Sequence, residues 1–219
     1  MSVALLYFLP GAGSFAPHVL LEATGMEHEL VRVVRDDDGR PVEPKAYLSL
    51  NPSGRIPTLI WPDGTVQTES AAISLAIAER AGRHDLAPAP DDPERPAFLS
   101  RLVFLTNTVQ VAILRARYPQ RFADGDDARA AVVAHATDEL AGLRARCAAW
   151  YADAPFARGD EPGVDDVFLG MLIRWTRLTA EPWWDDPVLG AFYDRFHALP
   201  AVAAAREHEG FEIRPPAGT

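Results

Sequence analysis

The chain has 219 residues, enough for one large domain or two small ones with a buried core. A formal charge of −10 and a pI near 5.0 argue against nucleic acid or an anionic membrane surface as partner. Apolar residues make up 48% and the mean hydropathy is −0.07, which describes an ordinary soluble globular chain rather than a disordered or membrane-embedded one.

The first eighty residues alternate in kind. "VALLYFL" predicts a buried strand, and Ser14 to Thr24 a helix closed by Gly25. "HELVRVV" predicts a second strand, ended by the acidic run from Asp36 to Gly39. "TLIW" and "TVQT" flank Pro62-Asp63-Gly64, a turn in which Pro presets φ and Gly takes the positive-φ position, so an antiparallel hairpin is expected. A helix from Ser70 to Ala81 follows. The order β-α-β, then β-β-α, predicts a thioredoxin-like α/β domain over residues 1–82. Residues 83–96, with four prolines and no apolar periodicity, read as a linker. Beyond them only helical patterns recur, over 97–118, 128–151, 164–178, 187–199 and 201–209, so residues 97–219 are expected to form an all-α domain.

Gly11, Gly13 and Ala16 spell a dinucleotide fingerprint, with Asp36 at a suitable distance downstream. The strand order argues against it. A dinucleotide fold needs further parallel βα units, whereas this chain turns antiparallel after its second strand, and Pro17 removes a first-turn N–H that a pyrophosphate could use.

In domains of this order a cis proline opens the third strand beside the active site, and Pro57 in "NPSGRIPTLI" is that proline if the Ile56–Pro57 bond is cis. Several stretches then resemble the cytosolic glutathione S-transferase family, particularly its bacterial beta class: "LPGAGSFAPHVLLEATG", "NPSGRIPTLI", "TESAAISLAIAE", the proline linker, "PGVDDVFLGMLIRW" and "FYDRFHALPAVAAAREHEGF". They run in order from Leu5 to Phe211. The resemblance implies the glutathione S-transferase fold, glutathione as co-substrate, conjugation of its thiolate to small hydrophobic electrophiles, a homodimer and a cytoplasmic location. A glutathione-binding or protein-interaction member without catalysis is the alternative.

Residue chemistry assigns the expected site. Ser70, at a helix start, suits a carboxylate, and the neighbouring Glu69 suits an ammonium, as the γ-glutamyl end of glutathione requires; the plain alternative is an N-cap beside a solvated charge. Ile56 backbone groups beside Pro57 would pair with the cysteinyl peptide in strand fashion. Arg55 would reach either end of the tripeptide. The thiol must be held as thiolate, and Ser14 at the first helix start is the first choice of activating hydroxyl, with an N-cap role as the alternative. Tyr7 is the second choice; Phe8 competes for its position, and adjacent strand residues face opposite sides.

The chain departs from the beta class where that class has its cysteine, which is Gly13 here, so thiol exchange at this place is not expected. Val103 and Gln110 stand where the class usually carries Asn and His. Leu9, Gln110, Leu114 and Tyr118 are expected to line the electrophile pocket, with Trp175 as a further wall residue. In "PGVDDVFL", Gly163 replaces the hydroxyl residue of a helix-capping box that Asp166 completes.

The remaining expectations are negative or structural. No Lys or Arg precedes Arg32, so no positively charged leader is expected, and no stretch reads as long enough to span a membrane. The one cysteine, Cys147, reads as a buried structural thiol in a reducing compartment. The six histidines show no metal-ligand spacing, Glu207-His208-Glu209 reads as a solvated helix end, and no metal is expected.

Overall fold

Alternation fixes the first strand. In β1 (Ala4–Phe8), Ala4, Leu6 and Phe8 are buried and Leu5 and Tyr7 half-buried, the period of two that unequal sheet faces impose. The computed structural model describes residues 3–37, 39–179 and 181–214. From β1 the chain passes through α1 (Phe15–Thr24) to β2 (His28–Arg32), which pairs parallel to β1 in the register Ala4 to His28. Helix α1 buries every residue from Phe15 to Leu21 and stops at Gly25, whose φ of 66° a side chain would disfavour.

The stretch expected as one strand, "HELVRVV", is two. After β2 the buried Val33 donates its N–H to Phe8 O, and the chain then leaves the sheet for a ribbon of β3 (Val34–Arg35) and β4 (Pro41–Glu43), followed by the short α2 (Tyr47–Leu50). Strands β5 (Thr58–Ile60) and β6 (Val66–Thr68) form the expected antiparallel hairpin. Gly64 takes a φ of 84° in its turn and Asp63 Oδ1 accepts from Thr65 N at 2.8 Å. The sheet order is β2-β1-β5-β6, with α3 (Ser70–Arg80) following β6.

The helical part begins with α4 (Arg95–Phe104), where the sequence predicted an uninterrupted helix to 118. A π-helical turn, Leu105–Val109, instead separates α4 from α5 (Gln110–Arg117). Then come α6 (Asp126–Ala148), α7 (Val164–Trp175) and α8 (Pro187–Ala198). Every α7 residue except Arg174 is buried, which marks it as the core helix of this unit. Gly170 lets α8 approach, since a Cβ there would stand 2.5 Å from the Phe196 ring. Buried Asp165 is met by Arg101 Nε at 2.7 Å.

One sequence reading is corrected by this region. Arg95–Arg117 is a continuous helical stretch long and apolar enough to cross a membrane by length and composition, although no such stretch was expected. A helix that packs on α7 and pairs Arg101 with a buried aspartate meets the same criteria as a core helix.

The last helix, α9 (Pro200–Glu209), changes the domain division. Residues 199–211 belong to the same compact unit as the N-terminal sheet, through packing of α9 on α1, while 88–198 and 212–214 form the other unit. The expected helical domain from 97 to 219 therefore gives up its final helix to the α/β unit.

Candidate functional site

The loop Leu9–Ser14 turns the chain from β1 into α1, and three separate segments of the α/β unit meet at its end. Ile56–Pro57 is a cis peptide, as the third-strand position predicted, and Glu43–Pro44 is a second one that the sequence did not announce. A Cβ on Gly13 would lie 3.0 Å from Ile56 O, 3.5 Å from Pro57 Cδ and 3.6 Å from Ser70 Oγ. Gly13 is thus the contact point of loop, cis proline and α3 start, and the absence of a side chain permits the approach. The Ser70 hydroxyl donates to Gly13 O.

The cis-proline segment is held from behind. Tyr47 OH donates to Arg55 O and lies 2.9 Å from Thr58 Oγ1, and Asn51 Nδ2 donates to Arg55 O at 2.9 Å and to Thr58 Oγ1 at 3.1 Å. Burial pushes the Tyr47 phenol above its ordinary pKa despite the hydrogen bonds from Thr58 and Asn51. These bonds consume the Arg55 carbonyl and leave the next residue free: among the described residues no hydrogen bond uses the N–H or carbonyl of Ile56. An extended peptide could pair there. The Arg55 side chain is exposed.

Glu69 carries the one positive φ of a non-glycine residue among the described residues, 69° with ψ 111°, at the cap of α3. Such a conformation costs about 1–3 kcal/mol and persists where surrounding structure imposes it. Sequence reasoning chose Glu69 for its charge and had no signal for its backbone. With Glu69 exposed and Ser70 half-buried, the acid and the helix start sit side by side.

Ser14 is placed otherwise than expected. It is fully buried, makes no side-chain cap to α1, and spends its hydroxyl on the loop, donating to Leu9 O at 3.1 Å and accepting from Leu9 N at 3.2 Å. The expected N-cap bond is therefore not made. The backbone offers a substitute: among the described residues the N–H groups of Gly13, Ser14 and Ala16 make no hydrogen bond, and with the axis of α1 they present positive potential at the helix start. Tyr7 lies on the strand face shared with Thr58, its Cα partner, and its ring centroid is 5.4 Å from that of Tyr47. Phe8 faces the opposite, buried side.

The expected electrophile-binding residues are distributed as follows. Leu9 is half-buried in the α/β unit. Gln110, Leu114 and Tyr118, four residues apart, share one face at and beyond α5, directly after the π turn, a feature common at functional sites that no sequence signal revealed. The Tyr118 ring is covered by the Arg117 and Arg121 guanidinium groups at 4.9 and 4.1 Å. Val103 is 53% exposed, and Trp175 is buried on α7. Cys147 is buried, which pushes its thiol up to about 12 and makes it unreactive at neutral pH.

Two further sequence readings are corrected. Glu209 is not solvated; it is buried, accepts the Gly11 N–H at 2.7 Å and lies 3.0 Å from His18 Nδ1. The histidines, expected to hold no metal because they show no ligand spacing along the chain, meet in space, where His18, Glu22 and His28 bring one ligand atom each to within 4.8 Å of one another.

A four-stranded β2-β1-β5-β6 sheet with a cis proline at the third of its strands in chain order defines a thioredoxin-like α/β unit, which the chain continues into a helical unit. A family model described as the glutathione S-transferase N-terminal domain matches residues 14–80. The chain is similar to the uncharacterised GST-like protein YncG of Escherichia coli K12, 28% identical over 202 residues that cover 90% of this chain and 94% of that one. Among solved structures, a beta-class glutathione S-transferase of Sphingomonas chungbukensis is 30% identical with a TM-score of 0.78, over 94% of this chain and 98% of that one. A sphingomonad glutathione S-transferase complexed with glutathione is 31% identical with a TM-score of 0.77, over 95% of this chain and 100% of that one. The chain belongs to the glutathione S-transferase family.

Proposed function

We propose that this protein binds glutathione in its α/β unit and transfers the glutathione thiolate to small hydrophobic electrophiles. The observation that carries the reading is the convergence on Gly13 of the Ile56–cis-Pro57 segment and the Ser70 helix start. In this arrangement the Ile56 N–H and carbonyl pair with the cysteinyl peptide, the first N–H groups of α3 take the γ-glutamyl carboxylate, and the Glu69 carboxylate takes the ammonium. The Ser70 hydroxyl joins the carboxylate by turning away from Gly13 O. The exposed Arg55 guanidinium serves the glycyl carboxylate.

The thiol then lies by the start of α1. Its proton leaves to solvent, the free N–H groups of Gly13, Ser14 and Ala16 stabilise the thiolate, and sulfur attacks an electrophilic carbon as the leaving group departs. Ser14 acts by fixing the loop through Leu9, and Tyr7 is the side-chain hydroxyl proposed to assist. Gln110, Leu114 and Tyr118 are proposed as the residues of the helical unit that contact the electrophile. A homodimer, a cytoplasmic location and a detoxifying role go with the family reading; the buried, unpaired Cys147 is compatible with a reducing compartment.

A second reading, glutathione binding without useful catalysis, is favoured by one observation: the Ser14 hydroxyl is already engaged at both its donor and acceptor. A thermal-shift panel with glutathione, glutathione disulfide and NAD, followed by turnover of an activated aryl halide, separates the readings. A ligand at ~100 times its dissociation constant stabilises by ~2.7 kcal/mol, so glutathione should raise the melting temperature while NAD should not. No shift with glutathione overturns both readings, and a shift without turnover selects the second.

A further inference from the structure

We propose that His18, Glu22 and His28 form a binding site for a divalent transition-metal ion of the zinc class, with His208 beside Glu22 at its exposed side. The site is separate from the proposed glutathione site and does not depend on it. Its residues come from three elements of the α/β unit: His18 and Glu22 are one turn apart on α1, His28 opens β2, and His208 stands near the end of α9.

The hydrogen bonds around the cluster set the tautomers that a metal needs. A backbone carbonyl can only accept, so the 2.8 Å contact of His28 Nδ1 with Met26 O puts the proton on Nδ1 and the lone pair on Nε2. His18 Nδ1 faces the Glu209 carboxylate at 3.0 Å, and that carboxylate is itself anchored by the Gly11 N–H at 2.7 Å. A carboxylate behind an imidazole is the usual outer-shell support of a metal-binding histidine. Both free Nε2 atoms then point at one carboxylate oxygen: His18 Nε2 is 3.6 Å and His28 Nε2 3.7 Å from Glu22 Oε1.

His18 is completely buried and its Nε2 makes no hydrogen bond, an arrangement that leaves a buried acceptor unsatisfied. A metal would satisfy it. With metal–nitrogen bonds of 2.0–2.1 Å, tetrahedral ligand atoms stand roughly 3.4 Å apart, so each imidazole closes on Glu22 by tenths of an ångström and the two imidazoles, within 4.8 Å of each other, close on one another as well. His208 Nδ1 already lies 3.2 Å from Glu22 Oε1, and its ring stacks on His18 with centroids 5.8 Å apart. Its side chain is 55% exposed, which gives the ion a way in. Imidazoles with one carboxylate suit zinc-class ions rather than calcium or magnesium, which prefer oxygen ligands alone. Bound there, the ion would tie α1, β2 and α9 together and, through Glu209 and Gly11, brace the loop that leads to Ser14.

The test uses the untagged full chain, stripped with chelator and titrated with Zn²⁺ by calorimetry and with Co²⁺ by visible absorption. One ion per chain, a melting temperature raised by Zn²⁺ and the intense Co²⁺ bands of tetrahedral coordination are expected. Glu22→Gln and His28→Ala should each weaken binding roughly tenfold or more, and Glu209→Gln should weaken it by about tenfold through His18. His135→Ala, an exposed histidine on α6, should change nothing. Circular dichroism identifies which variants fold, and unaltered affinity in either folded ligand variant overturns the proposal. Absence of Zn²⁺ binding, or several weak ions per chain with the faint spectrum of octahedral Co²⁺, overturns it as well.

Discussion

The hydroxyl of Ser70, at the start of α3, donates to the carbonyl of Gly13, fifty-seven residues earlier and just ahead of α1. The bond joins the two helix N-termini between which a peptide with an acidic end and a thiol would have to lie. It also explains why residue 13 has little room, because the same approach leaves a Cβ there only 3.0 Å from Ile56 O.

Gly13 therefore gives the first prediction. With no thiol at this point, incubation with glutathione disulfide should leave residues 1–25 unmodified in mass spectrometry. Gly13→Cys should acquire a glutathione adduct at residue 13 and lose about 1–3 kcal/mol of stability, because Ile56 must move to admit the Cβ. A stable Gly13→Cys that takes no adduct would place the thiol of bound glutathione elsewhere.

Glu69 separates backbone strain from charge. Glu69→Gly should hold or raise the urea midpoint, since relief of about 1–3 kcal/mol of backbone strain offsets the chain entropy that glycine adds, about 0.5–1 kcal/mol. The same variant should lose glutathione affinity. Glu69→Gln keeps the strain and should weaken glutathione binding by roughly 1–3 kcal/mol, as one charged partner is left unmatched. Calorimetric affinity equal to wild type in both variants would reduce Glu69 to a solvated charge.

Ser14→Ala tests how the thiolate is held. Loss of the two hydrogen bonds to Leu9 should cost about 1–3 kcal/mol of stability. The pKa of the bound thiol, read from thiolate absorbance against pH, should rise by less than about one unit (~1.4 kcal/mol), because backbone N–H groups do most of the stabilising. A larger rise would mean that the hydroxyl leaves Leu9 for the thiol. A larger rise in Tyr7→Phe than in Ser14→Ala would make the Tyr7 phenol the activator.

Asp166 sets a pH dependence in the helical unit. Its carboxylate accepts from Tyr151 OH, Ala157 N and Gly163 N at 2.9, 3.0 and 2.7 Å, yet burial and the adjacent Asp165 push it up to about 7. The folded state thus keeps a proton that the unfolded carboxyl, with a pKa of about 3.9, gives up, and stability from this group falls as pH rises from about 4 to 7. Urea unfolding of wild type and Asp166→Asn from about pH 3.5 to about pH 8, a range that brackets this titration, should show the wild type losing more stability with rising pH. Parallel curves would show that Asp166 is ionised throughout.

Gly163 yields a prediction opposite to the capping rule. Serine at a helix N-cap is usually better than glycine by a few tenths of a kcal/mol. Here a Cβ would stand 2.6 Å from Asp165 Oδ1, and Asp165 is held by Arg101, so Gly163→Ser should destabilise by about 1–3 kcal/mol. A raised melting temperature would show that Asp165 can turn aside without losing Arg101.

The amino-acid sequence determined much of the order of elements. The apolar run of β1, the Pro62-Asp63-Gly64 turn, the glycine that ends α1 and the apolar run of α7 are local signals, legible because each depends on residues near one another in the chain. Pro57 and the Glu69-Ser70 helix start were legible for the same reason. What those residues do is decided by partners far along the chain. The Ser14 hydroxyl meets Leu9 because the loop folds back on itself. The strain at Glu69 comes from tertiary constraint, and Ser70 turned to Gly13 across the unit. The packing of α9 against α1 buried Glu209 beside His18 and brought His208 to Glu22, a cluster that no spacing along the chain could announce. Periodicity fixes which face a helix buries, but which helix comes to lie against that face is settled by the packing of the whole unit.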